Sequence, residues 1–239
     1  MPPHPMVGPL RALLFDAAGT LIRLREPVGE TYARLARRFG VSLPAGHVDD
    51  AFRRVFRQMP PMVFAGEPPA RTAELERGFW RELVRRTFRA ADGTAVFSDF
   101  DAYFDALWRH FADPAAWEAM PGAHEALRAL RARGLRLGVL SNFDGRLPGL
   151  LAGLGLAASF ELVVLPRDAG AAKPDPRIFA FALARLGVAP AEAVYVGDDA
   201  DDDVAGAAAA GLRAIHVASL ATLAELPQRI DALAKEASA

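Results

Sequence analysis

Cysteine is absent from the 239-residue chain. That removes disulfides, thiolate nucleophiles and cysteine-ligated zinc together. Lysine is almost absent: Lys173 and Lys235 are the only two among 28 basic residues. No apolar run reaches the length of a membrane span. A formal net charge of −1 gives no electrostatic case for a nucleic-acid or membrane partner. The expected partner is a small molecule, and no oligomeric state is legible. Residues 1–9 are proline-rich without an apolar run, so they are expected to be a disordered lead-in rather than a signal peptide. The default compartment is then the cytoplasm. An apolar content of 52% supports a sizeable core, and the length suits one large domain or a core with an insertion.

What is present is organised around Leu13-Leu14-Phe15-Asp16-Ala17-Ala18-Gly19-Thr20-Leu21. An apolar run ends in a carboxylate, then in small residues and a glycine. This predicts a buried parallel strand that delivers Asp16 at its C-terminal edge, where open α/β sheets place their chemistry. Gly19 permits a sharp turn, and Thr20 offers a hydroxyl and an N–H to an anion. Taken alone, an Asp after a strand is more often a helix cap; the matching signals downstream decide the reading.

Residues 21–26 alternate as a small hairpin would. The apolar period then becomes helical. Helices are expected over 28–39, ended by Gly40, over 48–59 and over 72–90, with a fourth capped by Ser98. A proline-rich loop occupies 59–69. Residues 23–120 thus read as an all-helical insert in which basic and acidic residues nearly cancel. Its aromatic stripes are read as core. From Pro121 strands are expected over 135–140, 161–165, 193–196 and 213–217, separated by helices over 122–133, 146–154, 176–186 and 202–210. The fold class is therefore α/β: a doubly wound parallel sheet, Rossmann-like, with right-handed crossovers. Core residues 10–22 and 121–239 flank the insert.

Asp16, Ser141, Lys173 and Asp198 each follow a predicted parallel strand, so one rim of the sheet collects all four. Asp203 lies a helical turn beyond Asp198. Three carboxylates against one ammonium leave a formal charge of −2. Clustered like charges raise one another's pKa unless they are neutralised. A hard divalent cation with oxygen ligands does this, and Mg²⁺ suits best. The plainer alternative for Asp198-Asp199-Ala200-Asp201-Asp202-Asp203 is an acidic surface loop capping a helix. Asp199 and Asp201 are read that way.

In this order the motifs resemble those of the haloacid dehalogenase superfamily of hydrolases. Phe15-Asp16-Ala17-Ala18-Gly19-Thr20-Leu21 is similar to its first motif and Leu140-Ser141-Asn142 to its second. Lys173-Pro174-Asp175-Pro176-Arg177-Ile178-Phe179 is similar to the third. Val196-Gly197-Asp198 with Asp203 is similar to the fourth, and the insert over 23–120 to the family's helical cap. The stretches 23–32 and 141–144 further resemble one subgroup. The resemblance implies that Asp16 is the nucleophile, forming an aspartyl-phosphate, and that Lys173 screens charge on it. It implies that Thr20, Ser141 and Asn142 bind the phosphoryl oxygens. It places Mg²⁺ on Asp16, Asp198 and the backbone carbonyl of Ala18, with Asp203 supporting that shell. Cap residues choose the substrate, and Met62, Phe64, Arg25 and Tyr32 are the candidates.

One position departs from the pattern. Family phosphatases usually read D-x-D-x-T, and the second Asp protonates the departing alkoxide. Here that position is Ala18. A missing general acid slows the step by roughly 10²- to 10⁴-fold. The expectation is a Mg²⁺-dependent phosphatase of modest activity that favours good leaving groups. A 2-haloacid dehalogenase also lacks this Asp, but uses no Mg²⁺ and does not keep the Gly-Asp of the fourth motif. A protein that binds phosphate and Mg²⁺ without turnover is the third alternative. Phosphonoacetaldehyde hydrolases read D-x-A-G-T, but they need a cap lysine, and this insert has none. A Ser-His-Asp esterase is disfavoured, because Ser141 is not in a G-x-S-x-G elbow.

Overall fold

The structure, a computed structural model, describes residues 10–236. The expected lead-in over 1–9 lies outside the described residues. The chain divides into two units. The first comprises residues up to Arg23, Val63–Gly66 and the chain from Ala119 onward; the second comprises Leu24–Met62 and Glu67–Glu118.

In the first unit β1 (Ala12–Phe15) runs into the sheet centre with all four residues buried. Its apolar run allows this, because a parallel strand is covered on both faces. The chain then passes through β2 (Ile22–Leu24), which pairs with β3 (Trp117–Ala119). The alternation over 21–26 was expected to close as a local hairpin. Its partner is instead remote in sequence, supplied where the chain returns from the helical insert. The strand pattern was legible but its pairing was not.

The second unit holds α1 (Val28–Ala36), α2 (Ala45–Phe56), α3 (Pro69–Ala91) and α4 (Phe100–Ala112). A 3₁₀ turn extends α1 to Phe39, and Gly40 ends it with φ +84°. The apolar stripes meet around Tyr32, Val48, Val84, Phe88, Tyr103 and Leu107. The Tyr103 hydroxyl donates to the Tyr32 carbonyl at 3.1 Å. Ser98 does not cap α4. Its N–H is bonded to the Phe39 carbonyl, so the helix begins one residue later and the Asp99 side chain accepts from Ala102 N–H at 2.9 Å.

From Ala119 the α/β alternation resumes: α5 (Ala123–Ala132), β4 (Arg136–Leu140), α6 (Leu147–Gly153), β5 (Leu162–Val164), the short α7 (Pro166–Ala169), α8 (Pro176–Leu186), β6 (Ala193–Gly197), α9 (Gly206–Ala209), β7 (Arg213–His216) and α10 (Leu226–Glu236). The strands fall within about a residue of the expected ranges. Neither α7 nor α10 was foreseen; the latter buries Leu226, Ile230 and Leu233.

The five strands lie in the order β5-β4-β1-β6-β7, and every pairing is parallel. In register Phe15 is level with Val139 of β4 and Val196 of β6. Asp16, Leu140 and Gly197 therefore emerge together at the C-terminal edge. The chain runs from β1 to β4 and β5 on one side, then crosses to β6 and β7 on the other. This is the topological switch point at which such sheets bind ligands. One sheet face packs on α8 through Leu14, Tyr195, Phe179 and Leu183.

Candidate active site

Asp16 is the first residue past β1. Its N–H bonds to the Val196 carbonyl at 2.9 Å, so the ladder to β6 holds the carboxylate at the rim. The turn behind it is closed by Ile22 N–H to the Ala17 carbonyl at 3.0 Å and Gly19 N–H to the Ile22 carbonyl at 2.9 Å. Gly19 has φ +94°, and a Cβ there would lie 2.2 Å from an Asp198 carboxylate oxygen. Only glycine meets both demands.

Lys173 enters from the loop before α8 and is buried. Its Nζ donates to Asp16 Oδ1 at 2.7 Å, to Tyr195 Oη at 2.9 Å and to Asp203 Oδ1. Burial works against the ammonium, but Asp16 and Asp203 outweigh it and hold the lysine pKa above its ordinary value. Burial pushes the Asp16 carboxyl up. Lys173 opposes that, Asp203 adds to it, and a hydrogen bond from Ser141 lowers it again without cancelling the rise.

Asp203 is buried, with both oxygens committed. Oδ2 accepts from the N–H groups of Asp198 and Asp199 at 2.9 and 3.0 Å, while Oδ1 faces Lys173 and Tyr195. The backbone that brings it there is not the plain helix expected over 202–210. Residues Ala200–Ala205 form a π-helical turn, a form often found at functional sites. Asp199 caps that turn by accepting from Asp201 and Asp202 N–H, as its capping role required. Gly197 lies flat against Asp203, and a Cβ there would sit 2.2 Å from Oδ2. Gly197→Ala is expected to destabilise the fold by about 1–3 kcal/mol, the usual range for overpacking, and to displace Asp203. A melting temperature equal to that of the parent would show that the loop relaxes freely.

Asp198 is the solvent-facing carboxylate. Its Oδ1 accepts from Thr20 Oγ1 at 3.0 Å. Partial desolvation, then the charge of Asp16, push its pKa up to about 6. One carboxylate oxygen each from Asp16, Asp198 and Asp203 lie within 4.8 Å of one another. An all-oxygen set carrying excess negative charge suits a hard divalent cation, and Asp203, already doubly engaged, is better placed to orient the others than to ligate.

The expected residues converge, but two do different work. The Asn142 amide is turned to the backbone of Lys173: Oδ1 accepts from Lys173 N–H at 2.8 Å, and Nδ2 donates to the Lys173 carbonyl at 2.9 Å. Nδ2 also reaches Asp202 Oδ2 at 3.2 Å. Asn142 therefore clamps the lysine loop to the end of β4, instead of offering its amide to a phosphoryl group. Thr20 is fully buried and presents its hydroxyl to Asp198. Among the four specificity candidates, Tyr32 is core: it is buried against Phe52, Phe88 and Phe111. Arg25 is paired with Glu118 at 3.1 Å. Met62 is buried, while Phe64 is only partly covered.

Two features were missed. Tyr195, third in an otherwise aliphatic strand, carries no sequence signal of a place in the site. Asp144, fully buried, accepts the Arg146 guanidinium as a fork, at 2.8 and 2.6 Å, just beyond Ser141-Asn142. The sequence signal for that pair was a charged residue two positions from another directly after a strand-end motif.

Residues 10–211 match the family model for haloacid dehalogenase-like hydrolases. Haloacid dehalogenase-like hydrolase domain-containing protein 3 of Mus musculus is 40% identical over 87% of this chain and 82% of its own length. Phosphoserine phosphatase of Thermus thermophilus is 36% identical over 69% of this chain and 53% of its own length. Among solved structures, one described as a dehalogenase superposes with a TM-score of 0.64 at 27% identity, covering 88% of this chain and 86% of that one. Three motif-bearing strand ends and the Lys173 loop at one edge of a parallel sheet, a match spanning most of the chain and relatives at this level of identity lead to one conclusion: the chain belongs to the haloacid dehalogenase-like hydrolase family and is a hydrolase of that superfamily.

Proposed function

We propose that this hydrolase is a Mg²⁺-dependent phosphatase of small phosphate esters, working through an aspartyl-phosphate on Asp16 and favouring leaving groups that depart without a proton. The observation that carries this is the cluster of Asp16, Asp198 and Asp203 oxygens within 4.8 Å, with Lys173 bonded to two of the three carboxylates. A haloacid brings its own carboxylate, and such a site repels it. A phosphate monoester with a divalent cation fits the charge.

Asp16 attacks phosphorus with a carboxylate oxygen. The bond from phosphorus to the ester oxygen breaks, and its electron pair leaves with that oxygen. Water then cleaves the acyl phosphate, releasing inorganic phosphate and restoring the carboxylate. Lys173 favours the ionised form of Asp16 against the effect of burial and counters charge on the phosphoryl oxygens. The Ser141 hydroxyl, which helps to lower the Asp16 pKa, is the group that would donate to a phosphoryl oxygen. Asp16, Asp198 and the Ala18 carbonyl would hold Mg²⁺, with Asp203 orienting the Asp198 loop. When bound, the ion supplies Lewis-acid stabilisation of the developing charge. The insert over 23–120 serves as the cap that selects the ester.

Mg²⁺ binding to the native state alone raises stability, by about 2.7 kcal/mol at a free concentration 100 times its Kd. Millimolar Mg²⁺ is therefore expected to raise the melting temperature, and Asp198→Asn to blunt that response. Calorimetry that detects no Mg²⁺ binding to the parent protein at millimolar concentration would count against a phosphatase and in favour of a dehalogenase.

A further inference from the structure

Tyr195 is the least expected group in the site, because nothing in its strand marks it as polar. β6 reads Ala193-Val194-Tyr195-Val196-Gly197 and every residue is buried. A buried tyrosine hydroxyl normally finds one partner. This one has three within hydrogen-bond distance. It accepts from Lys173 Nζ at 2.9 Å, and its own proton faces the Leu140 carbonyl at 2.8 Å and Asp203 Oδ1 at 3.1 Å. Its ring is braced edge-on by Phe179, with centroids 5.3 Å apart. Phe179 ends the same segment that begins with Lys173.

From this arrangement we infer that Tyr195 is a positioning residue, whose hydroxyl completes a three-point seat that fixes the Lys173 ammonium against Asp16. An ammonium has three N–H donors and no acceptor. Asp16, Asp203 and Tyr195 provide one acceptor for each. With two acceptors the group could turn about the line between the carboxylates; the third removes that freedom. The chemistry of the third acceptor matters. Another carboxylate would add negative charge where three already crowd, whereas a phenol oxygen is neutral. The onward bond to Leu140 ties the seat to the last residue of β4, immediately before Ser141. The hydroxyl therefore joins β6, β4 and the lysine loop at one atom. Its effect on turnover rests on the phosphatase proposal; its effect on the ammonium does not.

The scarcity of lysine makes the test direct. Protein labelled with ¹⁵N-lysine has two ammonium groups, buried Lys173 and exposed Lys235. Wild type is expected to show one slowly exchanging ammonium signal, from Lys173. In Tyr195→Phe that signal should shift and exchange faster with water, with Lys235 unmoved. In parallel, kcat on an aryl phosphate should fall by about 10- to 100-fold, the scale for a misplaced catalytic group, with KM within about twofold. Should Tyr195→Phe fail to fold, replacing the tyrosines of the wild-type chain with 3-fluorotyrosine keeps the hydroxyl and weakens it as an acceptor; the Lys173 signal should shift there too. An unchanged Lys173 signal in a folded Tyr195→Phe variant or in the fluorinated protein would overturn the inference and leave Tyr195 as packing. A moved signal in a protein that hydrolyses no phosphate ester would support Tyr195 as the seat and refute the phosphatase.

Discussion

Asp16→Asn is expected to abolish phosphate-ester turnover, lowering kcat by at least about 10⁴-fold, the scale on which removing a nucleophile closes a covalent route. The substitution keeps the shape of the side chain and one acceptor oxygen for Lys173, so the fold should persist. Lys173 retains Asp203 and Tyr195, and the backbone of residue 16 stays in the β6 ladder through Val196. Phosphate and Mg²⁺ binding should weaken far less than turnover, since Ser141, Lys173 and Asp198 remain. Single-turnover kinetics with an aryl phosphate, paired with calorimetry for Mg²⁺, separate the two effects. Equal turnover by parent and variant would trace the activity to something other than this site. A parent that binds both ligands and never turns over would be a binding protein.

Ala18→Asp should have the next largest effect, and in the opposite direction. In the phosphatase pattern this position carries the acid that protonates the departing alkoxide. The surrounding turn is closed by backbone bonds from Gly19 and Ile22, none of which involves the side chain at 18. Ala18 is exposed, and among the described residues every positive φ belongs to glycine. An aspartate is therefore accommodated without rebuilding the backbone. The parent should depend steeply on leaving-group acidity, turning over aryl or acyl phosphates and barely touching alkyl ones. Ala18→Asp should flatten that dependence and speed alkyl esters by about 10- to 10⁴-fold, leaving aryl esters little changed. The new carboxylate adds charge beside Asp16 and Asp198, so Mg²⁺ affinity must be measured alongside. Normal Mg²⁺ binding without any gain on alkyl phosphates would refute a site complete but for its acid.

Much of this site was legible because its residues sit where chain direction changes. A run such as Leu13-Leu14-Phe15 before Asp16, or Val194-Tyr195-Val196-Gly197 before Asp198, announces a strand end, and the parallel topology then brings those ends to one rim. Side-chain partners were not legible in the same way. The family resemblance implies a phosphoryl contact for Asn142, yet its amide matches the Lys173 backbone donor and acceptor at 2.8 and 2.9 Å. That match depends on where the loop before α8 comes to lie. Tyr195 was hidden for a related reason: in a buried strand an aromatic residue packs through its ring, and only the position of Lys173 gives its hydroxyl a task. Tyr32 erred the other way. It was a candidate for choosing the substrate, but its ring fills the helical core. The short β2 was misread because strand alternation is local, whereas its partner β3 arrives after the whole insert.

The most direct test is a panel of phosphate monoesters and 2-haloacids assayed with Mg²⁺ and with EDTA. A phosphatase of the kind proposed releases inorganic phosphate from aryl or acyl phosphates with Mg²⁺, loses that activity in EDTA, and frees no halide under either condition. Halide release from 2-haloacids that EDTA does not touch, with no phosphate released from any ester, would contradict it.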